Sequence, residues 1–407
     1  MKKFEIPIYY QSSIISKIKE IRYLKDPRKN DNSPSKLDFG PVIFYVARHF
    51  GFCYGVKNAI EIAYKTISEN PNKRIFLLSE MIHNPSVNSD LQSMDVRFIM
   101  DTSGKQIIPW NELTKEDIII IPAFGTTLEI EKKLNELEID PYKYDTTCPF
   151  VEKVWNRSAQ LGDDNSTVII HGKNTHEETR ATFSHSVKNA PSVIVRNLKE
   201  TEYLASVILE EKSDVDFYKY FANKFSEKFD VTKNLQKIGV VNQTTMLASE
   251  TTAIATLLKD TMLKKYGQEN IEKHFVDTGD TLCYATNDNQ DATYSLLKQK
   301  ADIAIVVGGY NSSNTGHIVE LCNEKIKTYF ISDSDKIIDS KSISHFDINN
   351  KKEVLIENYL PKKNKIEILL TSGASCPDVE VDRVMLKLLS MFEDTYKIDD
   401  VIKQIVN

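Results

Sequence analysis

Three cysteines, at positions 53, 148 and 283, carry the chemistry for which this chain is equipped. Each opens a helical pattern where a strand-like run ends: Gly51-Phe52-Cys53-Tyr54-Gly55, Thr146-Thr147-Cys148-Pro149 and Thr281-Leu282-Cys283-Tyr284. A sulfur at a helix N-terminus feels the positive end of the helix dipole, so the Cys53 thiol pKa is expected to fall. Such a thiolate is a metal ligand or a nucleophile, whereas a lone intracellular cysteine is more often a small buried apolar residue. Three cysteines in the same structural place favour a shared centre. Three thiolates suit zinc or an iron–sulfur cluster. Zinc on three cysteines normally adds a histidine and is structural. An iron–sulfur cube on three cysteines keeps one open position, which substrate chemistry requires.

Polar loops follow the other strand-like runs, and they contain His83, His176, Ser312, Ser313, Asn314 and Ser375 at expected helix starts. Donors at helix N-termini hold phosphate or diphosphate. Any one of these loops, alone, reads as helix capping. Nine in equivalent places, three carrying cysteine, point to one central site. His176-Glu177-Glu178 sets a carboxylate where it can serve an open metal position as a proton donor.

These residues are positioned by an alternation of short β-branched runs and amphipathic helices, the pattern of a parallel α/β sheet. Strands are expected at 42–47, 74–80, 96–99, 117–122, 167–171, 192–196, 238–242, 274–277, 302–308, 326–331 and 366–371. Open α/β sheets bind ligands at the carboxyl ends of such strands. Side by side, the runs read as one α/β module written three times: 41–147, 148–282 and 283–392. A pair of inserted helices is expected over about 199–237, with its Phe and Tyr stripe read as packing. Residues 1–40 form an extension with a helix over about 11–24 and then a loop, and 393–407 form a tail docking on the body.

Bulk properties narrow the class. At 407 residues the chain exceeds one ordinary core, and its 41% hydrophobic and 27% charged content is that of a soluble globular protein. A net charge of −6 provides no overall basic field for nucleic acid. No apolar run reaches the roughly 18–20 residues of a membrane span. The start Met1-Lys2-Lys3-Phe4-Glu5 lacks an apolar leader, so a cytoplasmic location is expected. Five cysteines without a CxxC pair argue against a disulfide framework. Cys322 reads as core.

The strings GFCYGVKNAIEIA, EMIHNPSVNSDL, DTTCPFVEKVWN, HGKNTHEETRAT, NQTTMLASET, GGYNSSNTGHIVEL and TSGASCPD occur in this order. Together they resemble the LytB family of 4-hydroxy-3-methylbut-2-enyl diphosphate reductases, in its plant and cyanobacterial branch. The resemblance spans residues of about 40 to 390. It implies an α/β fold of three pseudo-threefold-related modules, with small mostly parallel sheets around a central [4Fe–4S] cluster. Cys53, Cys148 and Cys283 would be the metal ligands. His83, His176, Ser312, Ser313, Asn314 and Ser375 would hold the diphosphate. Glu178 would deliver protons, and Thr244 with Gln243 would order the substrate hydroxyl and water, with Thr244 and His176 beside the reacting groups. The implied reaction is two-electron reductive dehydroxylation of 4-hydroxy-3-methylbut-2-enyl diphosphate to isopentenyl and dimethylallyl diphosphate, the last step of the non-mevalonate route. Electrons would come from a ferredoxin- or flavodoxin-type donor protein. The rival reading is a non-catalytic metal- or cluster-bearing diphosphate sensor. Two departures stand out: Phe124 replaces a histidine found in many bacterial members, and Cys376 follows Ser375 as Cys148 follows Thr147. Phe124 implies a reshaped pocket wall, and Cys376 reads as a small helix-start residue.

Overall fold

The structure, a computed structural model, describes residues 4–406; Met1-Lys2-Lys3, part of the start read for a leader, lies outside them. In chain order, helix α1 (Ile15–Lys25) precedes strands β1 (Ser35–Asp38) and β2 (Val42–Val46), α2 (Tyr54–Glu69), β3 (Ile75–Leu77) and α3 (Pro85–Ser93). Then come β4 (Arg97–Phe98), β5 (Ile118–Ile120), α4 (Leu128–Glu136), α5 (Pro149–Asp163), β6 (Thr167–His171), α6 (Glu177–Val187) and β7 (Ser192–Val195). Next are α7 (Leu198–Ile208), α8 (Asp214–Tyr220), α9 (Val231–Asn234), β8 (Ile238–Asn242), α10 (Ala248–Tyr266), α11 (Ile271–His274) and β9 (Phe275–Val276). The last part holds α12 (Tyr284–Leu296), β10 (Ile303–Val307), α13 (Ser313–Asn323), β11 (Thr328–Ile331), β12 (Ser342–Asp347), β13 (Lys352–Glu357), β14 (Ile366–Ser372), α14 (Asp378–Leu389) and α15 (Ile398–Val406). Every strand expected from sequence is present. The chain divides into two compact units, one of residues 4–57, 83–89 and 284–406, the other of 58–82 and 90–283.

The first unit is built on a five-stranded sheet, β1-β2-β14-β10-β11, parallel except for the edge strand β1. The interior strand β10 reads Ile-Ala-Ile-Val-Val and is buried at every position, because a parallel strand covered on both faces is apolar throughout. β1 replaces the loop expected before residue 40. Its four residues carry one fully buried apolar side chain, Leu37, so no period betrays it, and pairing with β2 gives it order. The hairpin β12–β13 was likewise not expected; its strands are mostly half-exposed and mix charge with apolar residues.

Helix α1 has no side-chain cap of its own. Instead the Asp382 carboxylate, on α14, accepts from Ser12 Oγ (2.7 Å) and from the amides of Ser13, Ile14 and Ile15 (2.9, 3.0 and 3.0 Å). The orphan donors of a helix start are thus satisfied from the other end of the chain. Ile14, Ile15 and Ile18 join Val401 and Ile402 of α15 in the same core, which docks both chain ends.

His49, ahead of α2, has its pKa pushed down to about 4, first by burial and then by Arg48, Lys29, Lys19 and Arg22. The unfolded chain takes up a proton at the ordinary value of 6.5, and the folded chain does so only near 4. Stability is therefore expected to fall as pH drops from 6.5 to 4, by on the order of 2 kcal/mol after allowance for solvent screening. Urea midpoints across this range will show the slope, and His49→Asn will flatten it.

The second unit holds a three-stranded parallel sheet, β4-β3-β5, and a four-stranded parallel sheet, β7-β6-β8-β9. Three helices, α7 to α9, fill the insert where a pair was expected. The third is a single turn, capped by Asp230, too short to show a helical period. Phe217, Phe221 and Phe229 are core residues there, with Phe217 and Phe229 stacked at 5.3 Å. The aromatic stripe is packing.

Candidate functional site

In the first unit Cys53 directly precedes α2. Gly51 two residues earlier has φ +80°, and a Cβ there would collide with the Asp378 carboxylate, so only glycine makes this turn. The Cys53 amide donates to the Ala374 carbonyl (3.1 Å), and the Ala374 amide donates to Asn314 Oδ1 (2.9 Å). Asn314 is steadied by Asn289 Nδ2 at 3.2 Å. Ser375 Oγ donates to the His83 carbonyl (3.1 Å) and lies 3.4 Å from Ser312 Oγ. Ser312 caps α13, whose first residues are Ser313 and Asn314. A Cβ at Gly309 would strike the His83 carbonyl, so this glycine is what lets these two loops meet. The unit therefore gathers His83, Ser312, Ser313, Asn314 and Ser375, all buried, and ties them to Cys53 through Ala374.

The expectation of a lowered Cys53 pKa is corrected here. Burial pushes the thiol up, and the amides of Val56, Gly55 and Cys53 only partly offset this. At this sulfur desolvation outweighs the helix dipole. Metal binding at such a thiol must expel its proton.

In the second unit Cys148 is the N-cap of α5, with Pro149 in the first turn. Its amide donates to the Ala123 carbonyl (3.0 Å), beside Phe124, whose ring stands edge-on to His176 at 5.7 Å. His176 caps α6: its Nδ1 accepts from the Glu178 amide (3.2 Å), which leaves Nε2 as the donor of the neutral ring. The Glu178 carboxylate, 2% exposed, accepts from the Thr244 amide, and the Thr244 carbonyl accepts from the Cys283 amide (3.1 Å). Glu178, Thr244 and Cys283 are one connected string. Gln243 Oε1 accepts from Thr179 Oγ1 (3.0 Å) and the Lys173 amide (3.1 Å), while its Nε2 donates to Thr245 Oγ1 (2.8 Å).

Several residues here went unnoticed in the sequence. Asp145 accepts from the amide and hydroxyl of Thr147 (2.8 and 2.5 Å), and Asp280 accepts from the Leu282 amide (3.1 Å). Each makes an Asx turn just before a cysteine, and an Asp three residues upstream in both strings was the signal. The Tyr284 hydroxyl accepts from the Tyr54 amide at 2.9 Å, satisfying a donor at the start of α2. No spacing announces that contact.

Each of the three thiols stands at a helix start, and backbone amides are directed at the Cys53 sulfur; thiols are ligands for soft metals. Among the described residues, no group of three or more His, Cys, Asp or Glu is close enough to hold a single ion. Ligands of an iron–sulfur cube bind different irons and so need not crowd one point. Cys376 is fully buried ahead of α14, with its thiol raised well above the usual range by burial, and Cys322 is a core residue.

The family model for LytB protein matches residues 44–389, which takes in every residue named at these sites. The chain belongs to the LytB family. Curated LytB relatives named 4-hydroxy-3-methylbut-2-enyl diphosphate reductase include those of Picosynechococcus sp., 38% identical over 94% of this chain and 89% of that protein, and Synechocystis sp., 39% identical over 94% and 96%. Among solved structures, the E-1-hydroxy-2-methyl-but-2-enyl-4-diphosphate reductase from Plasmodium falciparum shares the fold, with a TM-score of 0.59 and 22% identity over 88% of this chain and 89% of that one. The mixed α/β architecture with small, mostly parallel sheets is thus that of the LytB fold. Among the described residues no helix is long and apolar enough to cross a membrane.

Proposed function

We propose that this chain is an iron–sulfur oxidoreductase that converts 4-hydroxy-3-methylbut-2-enyl diphosphate to isopentenyl and dimethylallyl diphosphate, the terminal step of the non-mevalonate pathway. The observation that carries the reading is near-40% identity to reductases of that name across almost the whole chain. Cys53, Cys148 and Cys283 would ligate a [4Fe–4S] cluster, which when bound supplies the electrons and an open coordination position. His83, His176, Ser312, Ser313, Asn314 and Ser375 hydrogen-bond and fix the diphosphate, drawing on donors at helix starts. Thr244, with Gln243, orders the hydroxyl that leaves. Glu178 delivers protons. Two electrons and two protons convert the allylic alcohol to an alkene and water, and protonation at either end of the allyl fragment yields the two products. Burial of these groups keeps bulk water from competing with the positioned proton source. Phe124, against His176, supplies an apolar wall where a histidine donor would otherwise point. Electrons come from a ferredoxin- or flavodoxin-type protein, and the cytoplasm is the compartment that keeps the five thiols reduced.

Anaerobic purification followed by Mössbauer and EPR spectroscopy, with and without the allylic diphosphate, tests this. A cluster signal that shifts on adding substrate, with both products formed under a reductant, is expected. Iron-free protein, or a cluster indifferent to the diphosphate, would overturn it.

A further inference from the structure

Strand β8 is buried throughout, yet it ends in an amide side chain, Asn242, only 1% exposed. A buried amide is costly unless its donors and acceptor are used, and here they are. Asn242 Oδ1 accepts from Thr281 Oγ1 (3.3 Å) and the Thr281 amide (3.4 Å). Asn242 Nδ2 donates to His171 Nδ1 (3.3 Å) and Thr251 Oγ1 (3.3 Å). The Asn242 backbone amide donates to Thr281 Oγ1 (2.7 Å). His171 is fully buried at the end of β6, and its carbonyl accepts from the Gln243 amide (2.8 Å).

Segments 242–244 and 281–283 are therefore pinned together at both ends. One pin, the Cys283 amide on the Thr244 carbonyl, lies among the groups assigned to the reaction. The other, Asn242 on Thr281, lies in the buried network, and the Asn242 side chain bonds none of the side chains assigned to the reaction. We propose that Asn242 is a positioning residue that sets Thr244 and Cys283 at once, by clamping the loop before the cysteine onto the end of β8. The residue roles it serves rest on the function proposed above; the clamp itself does not.

The test uses the full-length chain, kept anaerobic, before loading with iron and sulfide. Alkylation by iodoacetamide is followed at each cysteine by mass spectrometry. Loss of one buried hydrogen bond predicts that Asn242→Ala speeds alkylation of Cys283 by about tenfold, with Cys148 and Cys322 unchanged. Thr281→Val, which removes only the loop hydroxyl, is expected to do the same and serves if Asn242→Ala does not fold. Thr281→Ser keeps the hydroxyl that bonds Asn242 and should retain the wild-type rate. In the loaded protein Asn242→Ala should lower kcat with little change in KM, since the diphosphate residues are untouched. An unchanged Cys283 rate, or equal acceleration at all three cysteines, overturns the clamp. Selective acceleration in a protein that never reduces the allylic diphosphate would keep the clamp and sink the proposed reaction instead.

Discussion

Glu178→Gln is expected to remove most turnover while leaving iron content and diphosphate affinity near wild type. Glutamine has the same shape, and its Oε1 can still accept from the Thr244 amide, as the carboxylate does. What it cannot do is give up a proton. Losing a positioned general acid typically costs roughly 10²–10⁴-fold in rate. Steady-state product formation under anaerobic conditions, beside an iron assay and a binding isotherm for the allylic diphosphate, separates the effects. Turnover at the wild-type rate would remove Glu178 from proton delivery. A fall in iron content would show a structural role instead.

Substituting Cys53, Cys148 and Cys283 singly by serine is the second large effect. A cluster held by three thiolates predicts that each variant loses iron and activity together, because serine is a far poorer ligand for soft iron. A single cysteine nucleophile predicts that one substitution matters and two do not. Cys376→Ser is the control, since that thiol is enclosed and raised by burial. It should keep its iron, and loss of iron there would make Cys376 a ligand.

The strands that carry the site were legible because they are short β-branched runs closed by polar loops, as Ile303–Val307 before Gly308 shows. Gly51 and Gly309 stand where side chains would collide, which only the folded chain reveals. Other features had no local signature. β1 owes its order to β2, and the hairpin β12–β13 lacks a fully apolar face. The Cys53 pKa went the wrong way because a helix dipole can be read from order of residues, whereas depth of burial cannot. Asn242 and Tyr284 act through contacts formed only once distant segments meet. The cysteines and capping loops, by contrast, sit in short strings whose residue types already state their chemistry.

The Asp382 contact on α1 and the pairing of β2 with β14 share a consequence for the newborn chain. Both join the first fifty residues to the last fifty. On the ribosome, helix α1 and the strand leading to Cys53 must wait until residues 366–382 have emerged before their partners are available. The intervening unit, by contrast, can complete its sheets from segments already made. Order in α1 and β2 is therefore a late event, and it reports that α14 and β14 have been made and have closed back onto them.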